Sequence, residues 1–398
     1  MYEILASLPA ETLLRFKCVC KDWYNLINDP VFIQLHLNKS LETDSCHHHH
    51  RPFVFANDDS LCFGDDIDSP SQAVVKFNWR DNIEYEHVGF IGSSNGLVCL
   101  NKGGKSFIIC NPLTRTFKQV LFSVEVEIWN SGHCLGLYGF GYDSQHDDYK
   151  VVLMKLQEDK ETWVYSLKTD SWRKAPTQYQ SPLLKKLYKP LCGCVFGHGM
   201  IHCILRGVDD YSRLYLDSVE YTYNEQPQIA RFNLSSEEWE HEDLGYPTTD
   251  PPTSPIYMAS STFLDGYFSI SITTFEFPLE IWIMKEYGIK ESWTKLLRIS
   301  HNGPKSFNLG PPIAYSRTTR QVLWLNSIND GHAGIVCYDM QLETRKAFKF
   351  SIPKRSFHAT VNLFAPSLVS IPGSSHMKGQ THQTHEEDNA IVSSSTLP

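Results

Sequence analysis

The sequence predicts a mainly β protein in which a small N-terminal α module precedes a kelch-like, six-bladed β-propeller. Three observations predict this class: apolar residues at helical spacing over about the first 40 positions, short strand-like runs from about residue 50 onward, and a repeat of about 50 residues within those runs. The chain has 398 residues, of which 41% are hydrophobic and 13% aromatic, enough for a large core. This composition excludes disorder as the main state.

Residues 1–41 are expected to form the helical module. Their apolar positions recur every three or four residues, and Pro9 suits the start of a helix whereas Pro30 cannot continue one. The pattern predicts three helices, over about 10–17, 19–28 and 31–37. A unit this short rarely folds alone, so it must bury an apolar face against the rest of the chain or against another protein.

A linker is expected at 42–50, and it contains four consecutive histidines, His47 to His50. Imidazole binds transition metals, but four adjacent side chains on one loop cannot all face the same ion. The other histidines are scattered, and no CxxC pair of the zinc-ribbon kind occurs. We therefore predict no metal site and no cofactor, and we expect the eleven cysteines to be reduced and mostly buried.

Residues 51–372 are predicted to form the propeller. An apolar strand, a polar turn and a bulky residue that closes the next strand recur five times, and a hairpin precedes each copy. Equivalent points lie 54, 67, 51 and 55 residues apart, at Asn111, Tyr165, Phe232, Ile283 and Tyr338. This period fits four-stranded blades better than the evenly spaced strands of a sandwich.

Turn residues and aromatic residues support the repeat. Type I′ turns need positive φ at both central positions, and the candidates are Asn95-Gly96, His198-Gly199 and Asp265-Gly266. One repeat position is occupied by tryptophan three times, at Trp172, Trp239 and Trp293. This shared position predicts that the indoles pack the blades and do not form a ligand platform.

The two ends of the strand-rich region are predicted to pair with each other. The five copies leave 51–88 and 355–372 unassigned, and one composite blade made from both would close a ring of six. Such closure removes exposed sheet edges. Two separate irregular β-domains are the alternative. The last stretch, 373–398, has no aromatic residue and no periodicity, which predicts a disordered tail.

The net charge narrows the choice of partner. The chain has 36 basic and 45 acidic side chains, a formal net charge of −9, whereas a protein that binds the phosphate backbone would show a basic face. No apolar run is long enough to cross a bilayer, and the first residues lack the pattern of a secretory signal. We therefore predict no nucleic acid and no membrane as partners, and a location in the cytoplasm, with the nucleus as an alternative.

A family resemblance rests on both zones. The segment LASLPAETLLRFKCVCKDWYNLINDPVFIQLHL, at 5–37, resembles the plant F-box motif at nearly every apolar position. Downstream, five segments resemble the F-box-associated interaction domain of the same plant family. They are NGLVCLN, IICNPLTRTFKQV, GFGYDSQHDDYKVV, VYSLKTDSWR and EIWIMKEYGIKESWTKL. The S-locus F-box proteins of pollen are the most similar variants. The resemblance covers about residues 3–372.

The resemblance implies the substrate-recognition subunit of an SCF-type ubiquitin ligase. In that family the F-box docks on the Skp-type adaptor, which connects it to the cullin, and the C-terminal domain holds a protein target for ubiquitination. Carried over residue by residue, the adaptor-binding positions are Leu8, Pro9, Leu13, Leu14, Val19, Cys20, Trp23, Leu26 and Ile27. An F-box usually opens with a longer acidic helix, of which only Glu3-Ile4-Leu5 is present. The alternative is therefore a propeller that binds protein outside a ligase.

Target binding is predicted at loops that differ between repeats, because rim loops vary without disturbing the blades. Loop 206–229 is net acidic, and its candidate target-binding residues are Asp209, Asp210, Asp217 and Glu220. Residues 1–41 have equal numbers of acidic and basic side chains, so the net charge of −9 arises beyond them. An acidic recognition domain favours a basic target. The resemblance suggests the ribonucleases of self-incompatibility, which are basic secreted proteins.

The sequence motifs of known enzyme classes do not support a catalytic function for this chain. The sequence contains no P-loop and no GxGxxG cradle. Asp147-Asp148 and Asp209-Asp210 are paired acids of the kind that glycosidases use, but neighbouring residues point to opposite sides, which favours solvated turns. We therefore predict a non-catalytic receptor subunit. An enzyme of the glycosidase or oxidase type is the third alternative.

Overall fold

The protein, seen in a computed structural model, divides into two compact units. Unit 1 comprises Met1–Phe122 and Arg355–Ile391, and unit 2 comprises Ser123–Lys354 and Val392–Pro398. The structure describes residues 2–44, 53–57, 60–64, 75–78, 88–104, 106–122, 136–155, 161–176, 187–190, 193–208, 227–240, 244–247, 256–274, 279–299, 309–316, 319–328, 332–342, 344–350 and 360–376.

Helices form at the predicted places in the N-terminal module. They are α1 (Tyr2–Leu5), α2 (Ala10–Phe16), α3 (Lys21–Ile27) and α4 (Pro30–Asp44). Helix α4 continues into the stretch predicted as a linker. Its start follows a local rule: proline suits the first helical position, and the Asp29 carboxylate accepts hydrogen bonds from the N–H groups of Val31 and Phe32 at 2.9 and 3.1 Å. None of the described helices is long and apolar enough to span a membrane.

The module has a small core of its own. Leu13, Ile27 and Phe32, from three different helices, have no accessible surface. Two residues from outside the module complete this core, since Leu368 is buried in it and Leu113 packs against its edge. The folded module therefore depends on residues that lie far away in the sequence.

Strands make up most of the remaining described chain. They are β1 (Phe53–Asn57), β2 (Ser60–Gly64), β3 (Val75–Asn78), β4 (Val88–Ser94), β5 (Leu97–Lys102), β6 (Ser106–Asn111), β7 (Thr116–Leu121), β8 (Gly136–Asp143), β9 (Asp148–Lys155), β10 (Thr162–Ser166), β11 (Ser171–Lys174), β12 (Leu187–Pro190), β13 (Val195–Gly197), β14 (Met200–Val208), β15 (Gln228–Asn233), β16 (Glu238–Trp239), β17 (Ile256–Leu264), β18 (Tyr267–Thr274), β19 (Leu279–Met284), β20 (Trp293–Ile299), β21 (Leu309–Ser316), β22 (Gln321–Ile328), β23 (His332–Asp339), β24 (Thr344–Phe350), β25 (Thr360–Leu363) and β26 (Ser375–His376). A short 3-10 helix, Lys290–Ser292, precedes β20.

Hydrogen bonds group these strands into sheets. Five sheets are blades of consecutive strands, namely β4–β7, β8–β11, β12–β16, β17–β20 and β21–β24, and β26 extends the first of them. A further sheet is composite, in the order β25-β1-β2-β3. The described chain therefore has five blades of consecutive strands and not the predicted six, and the two stretches that were predicted to pair form the separate composite sheet.

The composite sheet confirms that the two ends of the strand-rich region pair. Phe53–Ala56 lies antiparallel to Thr360–Leu363. Strand β26 falls within the stretch 373–398 that was predicted to be a disordered tail, and it pairs with β7. Order therefore continues to His376, and the rest of that stretch lies outside the described residues.

The predicted repeat matches the blades. The residues Asn95, His198 and Asp265 have φ between 50° and 52°, and the glycine after each has φ between 75° and 82°, so all three predicted turns are confirmed. The five equivalent points lie on β6, β10, β15, β19 and β23, the same strand of each blade. The three tryptophans lie on the strand that follows, in β11, β16 and β20.

Hydrophobic cores lie between successive blades of unit 2. The first contains Val152 and Phe232, the second Ile204 and Ile270, and the third Ile281 and Trp324, in each case from two neighbouring sheets. Unit 1 has a separate core that includes Val54 and Leu100. Four-stranded sheets packed face against face in this way are the blades of a β-propeller.

Candidate functional site

The N-terminal module exposes most of the large apolar side chains on the described surface. Ten large hydrophobic residues of the described chain are exposed, and seven of them lie between residues 2 and 41. These seven are Tyr2, Ile4, Val19, Tyr24, Val31, Leu35 and Leu41. The other three, Leu121, Ile289 and Leu342, are spread over the β part. Such a concentration on a small unit marks an interaction surface.

The nine predicted adaptor-binding residues differ in exposure. Leu13 and Ile27 are fully buried in the module's core. The residues that pack partly buried against that core are Leu8, Leu14, Trp23 and Leu26. The exposed ones are Pro9, Val19 and Cys20. Only the last two groups present atoms to a partner, so Leu13 and Ile27 act by holding the helices together.

The turn between α2 and α3 presents one part of this surface, which we call the turn surface: Cys18, Val19, Cys20 and Tyr24. Val19 is 60% and Tyr24 54% exposed, and both thiols are exposed. The Val19 N–H donates to the Phe16 carbonyl oxygen at 3.0 Å, which tightens the end of α2. The turn surface is therefore fixed in shape before any partner binds.

One hydrogen bond and one ring contact beside the turn hold α2 against α3, and a further hydrogen bond fixes Asn28 at the end of α3. The Lys17 ammonium donates to Asn28 Oδ1 at 2.7 Å, and Asn28 Nδ2 donates to the Tyr24 carbonyl oxygen at 2.7 Å. Partial burial lowers the pKa of Lys17. The rings of Phe16 and Trp23 pack with their centroids 5.1 Å apart. These contacts preorganise the turn surface, which reduces the entropic cost of binding.

A second apolar surface, which the sequence analysis missed, lies on α4. Val31 is 71% and Leu35 39% exposed, whereas Phe32 and His36 point into the core. The signal was present in the sequence, because Val31 and Leu35 are one helical turn apart and cannot share the face of Phe32 and His36. Tyr24, Tyr2, Ile4 and Leu41 were also missed.

The acidic candidates for target binding are Asp209, Asp210, Asp217 and Glu220, which lie outside the described residues, as do His47 to His50. The acid pair Asp147-Asp148 is described. The Tyr142 hydroxyl donates to Asp147 at 2.7 Å, and Asp148 accepts hydrogen bonds from Ser166 Oγ and the Lys168 N–H at 2.5 and 2.8 Å. These carboxylates therefore support the turns of their blade.

One serine motif was overlooked in the sequence. Residues 92–96, GSSNG, have the GxSxG spacing of a hydrolase nucleophile elbow. In the structure Ser94, the serine at the nucleophile position, is the last residue of β4 and is 8% exposed, and Asn95-Gly96 form the turn into β5. An elbow requires a turn from a strand into a helix. This hairpin therefore lacks the geometry of that site.

Histidines and cysteines meet in the blade β12–β16. His202 Nε2 lies 2.6 Å from the Tyr287 hydroxyl, and burial lowers the pKa of His202 to about 3.

Cys194 and Cys203 form a disulfide, so the expectation of reduced cysteines is wrong at this pair. Among the described residues, no group of three or more His, Cys, Asp or Glu side chains could hold a metal ion.

A buried ionic network lies between two blades of unit 2. The ammonium of Lys150, 2% exposed, lies 2.7 Å from Asp143 Oδ2, 2.8 Å from Glu237 Oε1 and 2.7 Å from the Leu234 carbonyl oxygen. Arg173 also pairs with Glu237. Burial alone would raise the pKa of Asp143, but hydrogen bonds from Lys150, Ser235 and His146 hold it below its usual value. Because both carboxylates have cationic partners, the network is structural.

Comparison with protein families identifies two domains of known kinds. Residues 1–35 match the F-box domain, and residues 65–371 match the F-box associated beta propeller domain. The second match alone covers well over half of the chain.

Two plant F-box proteins are similar to this chain over most of its length. "F-box protein CPR1" of Arabidopsis thaliana is 28% identical over 388 residues, which cover 92% of this chain and 87% of that protein. "F-box/kelch-repeat protein At3g23880" of the same plant is 26% identical over 313 residues, covering 75% of this chain and 78% of that protein. Among solved structures, TolB from Acinetobacter baumannii aligns with a TM-score of 0.44 at 9% identity, covering 84% of this chain and 72% of TolB.

Proposed function

The chain belongs to the plant F-box proteins that carry an F-box associated β-propeller domain, and on this premise we propose that it is a substrate-recognition subunit of an SCF-type ubiquitin ligase. In this role the helices bind a Skp-type adaptor and through it the cullin, while the propeller binds a protein target. The chain itself contributes no catalytic step, since other subunits transfer the ubiquitin. It works in the cytoplasm or the nucleus.

The observation that carries this proposal is the apolar surface of the module. Seven of the ten exposed large hydrophobic residues in the described chain lie in the N-terminal module, which occupies about a tenth of the sequence. Their exposure costs free energy in water, and burial against a partner recovers about 25 cal/mol for each Å². The turn surface is also preorganised, which lowers the entropic cost of binding a partner that buries it.

The test is adaptor binding by the full chain. We expect a plant Skp adaptor to bind, and a Val19→Asp, Tyr24→Asp double variant to bind about 30-fold more weakly or not at all, because two charges would enter an apolar interface. Leu342→Asp is the matched control, since Leu342 is 71% exposed but lies in the turn between β23 and β24. Failure of the unaltered chain to bind would favour a propeller that works outside a ligase.

For the target we propose a basic protein, and a ribonuclease of self-incompatibility is the specific candidate. The support is the net charge of −9, which arises beyond residue 41, and the similarity to S-locus F-box proteins noted in the sequence. Opposite charges accelerate association and make affinity fall with salt. If a basic ribonuclease bound equally well at low and high salt, electrostatic capture would be wrong.

A further inference from the structure

Residues 364–371, which we call the latch segment, form no regular secondary structure, yet four of the eight are buried. Ser367 is 1%, Leu368 3% and Ile371 3% exposed. Irregular chain usually runs over the surface, because its backbone polar groups need partners. The side chains that form hydrogen bonds with the latch segment therefore identify the parts of the chain that it connects.

On one side, Asn111 at the end of β6 binds the latch segment. Its Nδ2 atom donates to the carbonyl oxygens of Ser367 and Val369 at 3.0 and 2.8 Å. Its Oδ1 atom accepts from the N–H groups of Leu113 and Thr114 at 3.0 and 3.2 Å. Asn111 has no accessible surface, and both of its donor hydrogens are used by the latch segment.

Comparison with two other blades separates the two roles of Asn111. Asn233 and Asp339, which like Asn111 are the last residues of the third strand of their blades, also accept hydrogen bonds from the N–H groups two and three residues later. A carboxylate is therefore sufficient for the turn, as Asp339 shows. The amide of Asn233 donates to the Glu240 side chain at 3.3 Å, so donation to a distant backbone segment distinguishes Asn111 from these two.

The hairpin between β4 and β5 also holds the latch segment. Ser367 Oγ donates to the Asn95 carbonyl oxygen at 2.6 Å. At Gly96, where φ is 82°, a Cβ atom would come within 2.7 Å of the Ala365 carbonyl oxygen. Glycine therefore both permits the turn and leaves room for the segment.

On the other side, the latch segment enters the helical module. Leu368 lies in the core formed by Leu13, Ile27 and Phe32, and Leu113 packs against the same core. Asn111 positions both Leu368 and Leu113. Its Nδ2 atom binds the carbonyl groups on either side of Leu368, and its Oδ1 atom binds the N–H groups of the turn that contains Leu113.

We infer that the latch segment fastens the adaptor-facing helices to the blade β4–β7, so that helices and blade move as one body. Asn111 and Leu368 are positioning residues for ubiquitin transfer: they touch neither adaptor nor ubiquitin but fix where the blade stands when the helices are bound. The transfer role rests on the proposed function, whereas the fastening itself does not.

The first experiment measures the fastening in the full chain without adaptor. Asn111→Asp keeps the turn and removes both donors, so hydrogen exchange of residues 10–37 and 364–371 should accelerate on the order of tenfold to a hundredfold. Exchange of β18 and β19 in unit 2 should not change. Asn233→Asp, the matched control, should leave the helices unaffected. Unchanged protection of residues 10–37 in Asn111→Asp would overturn the inference.

A second variant covers the case in which Asn111→Asp unfolds the whole chain. Leu368→Ala removes only the contact with the helices, and it should accelerate exchange of residues 10–37 while β4–β7 stays protected. If residues 10–37 of Leu368→Ala exchanged as slowly as in the unaltered chain, the inference that the latch segment holds the helices would be wrong.

The second experiment measures positioning in a reconstituted ligase. Asn111→Asp should bind the adaptor within about threefold of the unaltered chain, but self-ubiquitination should spread over more lysines, as read by mass spectrometry. Loss of adaptor binding in Asn111→Asp alone would overturn the positioning role, because the segment would then shape the adaptor surface itself. If the unaltered chain also failed to bind, the proposed function would fail while the exchange result stands.

Discussion

The helical module and the blades of unit 2 use their side chains in opposite ways. The module leaves seven large apolar side chains exposed and buries a small core that Leu368 completes. Unit 2 buries charges, with Lys150 at 2% and Asp143 at 1% exposure, and satisfies them internally. Buried charges that pair with one another need no partner protein, whereas an exposed apolar surface is available for one.

The largest effect should come from breaking the buried network in unit 2. Lys150→Ala leaves the carboxylates of Asp143 and Glu237 buried without that ammonium, so the free energy of unfolding should fall by about 3–5 kcal/mol in urea titrations. Lys174→Ala is the control, because this 42% exposed lysine pairs with Glu161 near the surface and should cost less than about 1 kcal/mol. Equal losses in the two variants would contradict the comparison.

A second prediction concerns pH. Burial lowers the folded-state pKa of His202 to about 3, below the ordinary histidine value of 6.5, so the unfolded chain binds the extra proton first as pH falls. The contribution of His202 to stability should therefore decrease below about pH 6.5, by up to about 1.4 kcal/mol for each pH unit. His202→Gln should remove this slope from urea titrations repeated between about pH 6.5 and 4.5. An unchanged slope would show that His202 is not buried as described.

A smaller effect should follow from loss of one indole hydrogen-bond donor. Trp293 Nε1 donates to the carbonyl oxygens of Leu244 and Gly245 at 3.2 and 3.0 Å. Trp293→Phe should lower the free energy of unfolding by about 1–2 kcal/mol, because buried carbonyl groups lose their partner. Trp163 Nε1 donates to Glu161 Oε2 at 3.2 Å, and in Trp163→Phe, the control, this partly exposed carboxylate can turn to water, so the loss should be smaller. A larger loss in the control would contradict the packing role of Trp293.

The smallest effect on stability is expected in the module. Val19→Ser should change the free energy of unfolding by less than about 0.5 kcal/mol, because Val19 is 60% exposed. Adaptor affinity should nevertheless fall, measured by calorimetry on the same protein. If Val19→Ser destabilised the chain by several kcal/mol and left adaptor affinity unchanged, the turn surface would serve stability and not binding. That result would contradict the difference drawn between the two regions.

The features that could be predicted from the sequence are local ones. Asp29-Pro30 sets the start of α4, and Asn95-Gly96 and Asp265-Gly266 have the positive φ that their turns require. The repeat positions could be aligned because each blade uses the same strand and turn. Pairing of the two ends of the strand-rich region could be predicted because a sheet edge needs a partner.

The rest could not be predicted because it depends on contacts between distant residues. Leu13 and Ile27 match the F-box motif, but the motif does not distinguish core residues from contact residues. Nothing adjacent to Lys150 in the sequence shows that its ammonium reaches Leu234 and Glu237 in another blade. The double role of Asn111 is likewise visible only when Ser367 and Val369 are placed beside it.

Leu368 in the helical core has a consequence for synthesis of the chain. Ribosomes release the N-terminal helices first, but the residue that completes their core emerges only after all five blades of consecutive strands have been translated. Until then the nascent helices expose additional apolar surface, which chaperones can recognise. A product that ends before residue 364 would lack Leu368 and would keep that surface exposed.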